Sequence, residues 1–310
     1  MARSAPPSRE AYGLALALTG SVGLGSAIGI SRIAYFEGAN GLSIALPRAW
    51  LLVLLLLVFC EATGRRLTLP PRVWLHCLGA GALMAYLFYG NIAAAQFIPA
   101  GVAALLFFIY PPLPTLIAAA LDRRAPSAAN LAAALIAFAG LGLMLGVEFD
   151  ALDPRGLALG LAAGVVCAFQ VTWVARALYR QDPVVTMAHM AIVAACALTG
   201  AALLSDGPPM PSGGAGWTAM LAAAALQACS IPLLYVALPI IGPERSGVMN
   251  NVQPVATILA AYLLLGETLR TEQFLGAAMI LGGILLMQRA ARSERLARET
   301  AARDHMANER

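Results

Sequence analysis

The chain repeats itself 143 positions apart, and that period limits its possible folds more than any other property of the sequence. Gly13-Leu14-Ala15-Leu16 returns as Gly156-Leu157-Ala158-Leu159, Trp74 as Trp217, Pro111 as Pro254, Gly140 as Gly283, and Leu143-Met144 as Leu286-Met287. One offset serves matches spread over most of 310 residues, which chance in a Leu/Ala-rich sequence does not explain. Each half holds five long apolar stretches, and five is odd. A unit that crosses a membrane an odd number of times leaves its copy to start on the opposite side, so the second half is expected upside down relative to the first.

Hydrophobic residues make up 60% and charged residues 12% of the chain, far from the balance of a soluble domain. A bilayer core takes about 20 apolar residues per helix. Ten such spans are expected near 12–31, 43–60, 73–95, 100–120, 127–147, 156–178, 184–205, 216–238, 246–266 and 273–289. The predicted fold is an all-α membrane protein of ten transmembrane helices in two inverted five-helix repeats, 1–147 and 156–289, followed by a polar tail, 290–310. All 20 basic residues are Arg. With the N-terminus inside, sixteen of them fall on cytoplasmic segments, against Arg32, Arg155 and Arg270 outside and Arg48 within a span. The excess of positive charge then sets both termini in the cytoplasm, and the first span reads as an uncleaved anchor.

Several chemistries are excluded by what the sequence lacks. A retinal protein needs a Lys for its Schiff base, and there is none. His76, His189 and His305 fall in different elements with no metal-binding spacing, so neither an enzyme nor a metal or other cofactor is expected. Cys60, Cys77, Cys167, Cys196 and Cys229 read as small packing residues. Proton-coupled carriers place a carboxylate at depth. Here every Asp and Glu falls at a span end, in a loop or in a tail, which leads us to expect facilitated diffusion or exchange. His189 is the one titrating group at useful depth, and it reads as a histidine bonded within the bundle.

Gln253-Pro254, then Gly266-Glu267, Gln273, Gly276 and Gly282-Gly283, resembles the C-terminal half-repeat of the drug/metabolite transporter superfamily in its ten-span EamA-type branch. The resemblance extends over roughly 12–289 and is weaker in the first half, where Asp122 stands near the expected Glu while Asn130 and Ala133 replace the Gln and Gly. Arg48 resembles an arginine that the family carries in the second span. Within the superfamily the chain is most similar to bacterial aromatic amino-acid exporters of the YddG type, which implies export of amino acids across the inner membrane.

The residues support a site without that resemblance. Prolines free backbone carbonyls and polar side chains need partners, so spans carrying both are expected to line a cavity rather than face lipid. Phe107, Tyr110 and Pro111 form one stripe of the fourth span, and Asn250, Gln253 and Pro254 the equivalent stripe of the ninth. One half offers rings where the other offers amides, an arrangement suited to a zwitterion with an apolar side chain. Asn251 aligns with Phe108, which reads as packing. Tyr86 and Tyr89 in the third span, Gln227, Ser230 and Tyr235 in the eighth, and Gln170 and Trp173 in the sixth complete the expected substrate-binding set, with Pro111 and Pro254 as hinges. Trp74 and Trp217 open their spans as interfacial anchors. Glu267 is read as a cap or a partner of Arg270, and Arg48 as attracting an anionic group or, the favoured reading, pairing with helix-end carbonyls. The glycines at 140, 142, 276, 282 and 283 offer surfaces for close helix contact, or a dimer face.

The function expected from all this is export of aromatic and other apolar amino acids by alternating access, with the bilayer and a small-molecule substrate as the partners and no nucleic acid. A carrier of another small metabolite or drug, and a membrane receptor or assembly protein that does not transport, stay open as alternatives.

Overall fold

A computed structural model of the chain describes residues 7–111, 113–123, 128–146, 152–205, 207–268, 270–286 and 289. Among them the regular structure is entirely helical. The helices are α1 (Pro7–Phe36), α2 (Gly41–Ala62), α3 (Pro71–Phe97), α4 (Ala100–Phe107), α5 (Leu113–Leu121), α6 (Ala128–Gly146), α7 (Pro154–Ala177), α8 (Pro183–Leu204), α9 (Gly214–Asn250), α10 (Val252–Leu265) and α11 (Thr271–Leu286). Six of these elements contain a stretch long and apolar enough to cross a membrane: α1, α2, α3, α7, α8 and the first part of α9. Stretches of α6, α10 and α11 are apolar but shorter. The expected tail, 290–310, lies outside the described residues.

Two expected spans take a different form. The fourth is two helices, because Pro111, which has no N–H to donate, interrupts the hydrogen-bond ladder between Phe107 and Leu113. The eighth runs on through α9 into the ninth, which breaks at Asn251. The two breaks correspond: α4 ends at Phe107 and α9 at Asn250, 143 positions apart.

Local chemistry explains where the helices begin and end. Asn40 caps α2, accepting from the Leu42 and Ser43 N–H groups at 3.0 Å while the Ser43 hydroxyl accepts from the Asn40 N–H. Asp153-Pro154 and Asp182-Pro183 start α7 and α8, each pairing a capping carboxylate with a proline at the first helical position. Burial pushes the Asp182 carboxyl up, but the Val184 and Val185 N–H groups and the Arg65 guanidinium outweigh it and hold it below the usual carboxylate range. Gly266 closes α10 at φ 67°, a left-handed turn that other residues reach only with strain. Gln273 accepts from the Arg270 N–H at 3.1 Å at the start of α11.

Packing is organised by glycines that let backbones approach. On α1, a Cβ at Gly13 would meet Ile240 and Ile241 at 2.7 Å, whereas Gly25 abuts the Gln253 carbonyl and Gly29 the Ala260 side chain. The chain therefore passes α1 twice, once antiparallel in α9 and once parallel in α10. On α7, Gly156 meets Phe97 and Ile98, which stand 143 positions before Ile240 and Ile241 just as Gly13 does before Gly156. Gly140 of α6 meets Gly276, Met279 and Ile280 of α11, and Gly283 of α11 meets Ala133 and Ala137 of α6. Shifting the pair 133/140 by 143 gives 276/283, so this contact is reciprocal between the halves.

Ion pairs tie the helix ends. At one end Arg32 Nε lies 2.6 Å from Glu267 Oε1, and the Arg32 Nη1 also donates to the Ala95 and Ile98 carbonyls. Glu267 Oε2 accepts from the Ala100 N–H and so caps α4. At the opposite end Arg176 pairs with Asp122 at 2.7 Å and Arg65 with Asp182 at 2.6 Å.

The glycines differ in what surrounds them: within the chain, Gly140 and Gly283 make the expected close helix contact. Gly142 and Gly282 have open space where a Cβ would stand. Gly140→Ala and Gly283→Ala are therefore expected to destabilise the α6/α11 contact by about 1–3 kcal/mol, while Gly142→Ala and Gly282→Ala are neutral. Melting curves in detergent check this, and equal effects at all four positions would refute the assignment.

Candidate functional site

A cavity of about 310 Å³ lies where the two helix breaks meet. Phe107 and Tyr110 enter it from the first break, and Asn250 and Gln253 from the second. Each break is covered by a glycine from the other half. Gly25 of α1 lies against the Gln253 carbonyl, and Gly164 of α7 lies against the Phe107 and Leu106 carbonyls, with Cβ distances of 3.1 and 3.3 Å. Irregular backbone at such depth is tolerable only where protein or a cavity surrounds it.

The rings and amides are not independent. The Asn250 Nδ2 group donates to the Tyr110 hydroxyl at 3.2 Å, joining the halves across the cavity. The Phe107 and Tyr110 rings lie 5.1 Å apart, and Phe108, fully buried, packs behind both. Three buried amide oxygens of the wall, Asn91 Oδ1, Gln227 Oε1 and Asn250 Oδ1, have no hydrogen-bond partner among the described residues. Buried acceptors of that kind cost about 1–3 kcal/mol each when unmet, so they favour a ligand or water that donates to them.

Of the residues expected at the site, Phe107, Tyr110, Gln227, Asn250 and Gln253 share this cavity. The others fall elsewhere. Tyr86 and Tyr89 line a separate cavity of about 470 Å³ with Asn40 and Ser205, near the start of α2 and the end of α8. The Gln170 amide donates to the Ala80 carbonyl at 2.9 Å, locking α7 to α3. Trp173 lies on the surface of the α3/α7 contact, its indole N–H donating to His76 Nδ1 at 3.2 Å. Ser230 is packed against Gly23 of α1. Asn251 occupies the break itself, and the side chain of Tyr235 lies outside the described residues. Pro111 sits in the first break and Pro254 in the opening turn of α10.

Asn91, Cys167, Met187, Leu24 and Arg48 complete much of the wall and were not expected there. Asn91 follows Tyr89 by two positions, so the aromatic stripe of α3 drew attention to the neighbouring face. Arg48 corrects its expected role. It makes no ion pair or hydrogen bond to helix-end carbonyls among the described residues; its guanidinium carbon lies 4.1 Å from the centroid of the Phe88 ring. No Asp or Glu lines the cavity among the described residues. His189 donates Nδ1–H to the Val185 carbonyl at 2.8 Å and lies outside the wall. No group of three or more His, Cys, Asp or Glu side chains able to hold a metal occurs among the described residues.

Residues 154–289 match the EamA-like transporter family. Over 224 residues the chain is 25% identical to an uncharacterized transporter of Synechocystis sp., covering 70% of this chain and 67% of that protein. A solved crystal structure superposes with a TM-score of 0.60 at 20% identity over 94% of this chain and the whole of its own, a likeness of fold. The chain is thus similar to transporters in sequence, and six of its described helical stretches are long and apolar enough to cross a membrane. None of these relatives names a substrate.

The bond across the cavity predicts coupling between its partners. Tyr110→Phe and Asn250→Ala, singly and together, should show an interaction energy of about 0.6–1.7 kcal/mol in detergent unfolding. Strictly additive losses would mean that the two side chains do not hold each other.

Proposed function

We propose that this chain is a carrier of the bacterial inner membrane with ten membrane-crossing segments in two inverted five-helix repeats, exporting small amphipathic metabolites, foremost aromatic and other apolar amino acids, by alternating access. The observation that carries the proposal is the cavity at the paired helix breaks, walled by rings from one half and amides from the other. The reciprocal contacts, Gly13 with Ile240 against Gly156 with Phe97, and Gly140 with Gly276 against Gly283 with Ala133, support a two-fold relation between the halves. Substrate sites in carriers of this kind lie at the repeat interface, between discontinuous helices.

In this reading Gln253, Asn250 and Gln227 hold the polar end of the substrate, and Phe107 and Tyr110 take its side chain. Pro111 and Pro254 let the broken segments rock. Tyr86 and Tyr89 lie on the approach, in the cavity beside Asn40. Both termini face the cytoplasm by the arginine distribution. Counterflow in proteoliposomes with labelled amino acids tests the proposal: a carrier accumulates label, whereas a receptor shows saturable binding with no accumulation. Exchange should proceed without a pH gradient, since no described carboxylate lines the path.

Phe107 and Gln253 give the cleanest contrast, because Tyr110 and Asn250 hold each other. Gln253→Ala should weaken every amino acid by a similar factor, about 10-fold or more for a lost bond to a charged group. Phe107→Ala should instead penalise Phe, Tyr and Trp relative to Thr. Competition across that panel decides it, and a uniform loss from Phe107→Ala would reverse the assignment of the two walls. Pro254→Ala should slow exchange more than it weakens binding, because it restores a donor at the break; an unchanged rate removes the hinge.

A further inference from the structure

Arg48 stands one residue after Pro47 in the first half of α2, only 7% exposed. Arg32, Arg65, Arg155 and Arg176 each face a carboxylate, whereas Arg48 faces none among the described residues, and its buried Nε has no hydrogen-bond partner. A buried charge without a counter-ion is costly, and the face of Phe88 offsets part of that cost. No side chain among the described residues meets the remainder. The cavity that Arg48 lines carries amides and a phenol but no described acidic group. The chemistry missing from this site is therefore an anion, and the flat fork of a guanidinium matches a carboxylate with two parallel bonds.

We propose that Arg48 is the carboxylate-binding residue of the cavity, and that the amino group of a substrate is dispensable. The site then takes organic monocarboxylates with an apolar or aromatic body as readily as zwitterions, and rejects amines that lack a carboxylate. The inference rests on the cavity being the substrate site of the proposed carrier, and deepens that reading by naming the group that is recognised. A monocarboxylate neutralises the guanidinium and lays its apolar body against Phe107, Met187 and Ile231. An ammonium group brought to the same place meets a like charge and no acid.

Calorimetric titration of the purified full chain with phenylalanine, 3-phenylpropanoate and phenethylamine tests this, in wild type, Arg48→Gln and Arg48→Lys. In wild type the two carboxylates should bind with dissociation constants within about threefold of each other, and the amine at least ~10-fold more weakly. Arg48→Gln should weaken both carboxylates ~10-fold or more and leave the amine unchanged, and Arg48→Lys should recover part of the loss. A purely structural arginine would lower all three affinities together. Equal or tighter binding of phenethylamine in wild type overturns the proposal, as does an unchanged carboxylate-to-amine ratio in the variants. Should Arg48→Gln fail to fold, the wild-type panel and Arg48→Lys decide. The two readings fail separately. If phenylalanine is exchanged in proteoliposomes but 3-phenylpropanoate does not bind, the carboxylate site falls and the amino-acid carrier stands. If 3-phenylpropanoate binds through Arg48 but no amino acid is exchanged, the reverse holds.

Discussion

Hydrocarbon offers no hydrogen bonds, and this chain is built around that restriction. A peptide group or amide exposed to lipid costs several kcal/mol, so irregular backbone and polar side chains must be gathered where protein encloses them. The breaks after Phe107 and Asn250 interrupt the helical ladder, and both open on the same cavity. Glycines make that enclosure possible. Gly25 and Gly164 bring whole helix backbones against the exposed carbonyls, and Thr257 donates its hydroxyl to the Gly25 carbonyl at 2.9 Å to pin α10 against α1. The apolar bulk elsewhere is free to face lipid, as the exposed Leu203, Leu204 and Leu263 do.

Much of this was legible in the sequence, for physical reasons. Apolar length marks a membrane helix, so the six long apolar stretches fell close to where spans were expected. The prolines at 111 and 254 located both breaks. The form of the breaks was not legible, because a proline can kink a helix or end it, and only packing from the other half decides which. The continuity of α9 past its expected end has the same origin: local hydropathy dips there while the helical ladder continues.

The site was legible where a stripe carried both aromatic or amide groups and a proline. It was misread where polar residues met their needs locally. Gln170, Ser230 and Trp173 look like cavity residues by spacing, yet each is engaged by a neighbouring helix, at Ala80, Gly23 and His76 respectively. For Arg48 the favoured of its two expected roles, pairing with helix-end carbonyls, is not seen among the described residues. A lone charge near a span end looks like a cap, and its isolation becomes apparent only when every helix around it is in place. The reciprocal contacts of Gly140 and Gly283 were foreshadowed by the repeat itself, though not the asymmetry that leaves Gly142 and Gly282 against nothing.

The two end ties are unequal in kind. Arg32 and Glu267 are 18% and 20% exposed and backed by peptide groups, whereas Arg176 and Asp122 are 43% and 42% exposed. Dissolved salt acts on these differently, since mobile ions reach an exposed pair within a Debye length of about 8 Å and penetrate little around a half-buried one. The molecule therefore has one end whose ion pairs, Arg176 with Asp122 and Arg65 with Asp182, feel the ionic composition of the adjacent fluid and one whose pair is more shielded from it. A bundle fastened in this way has a preferred side on which to yield, and the direction of that preference is written in solvent access rather than in the number of bonds.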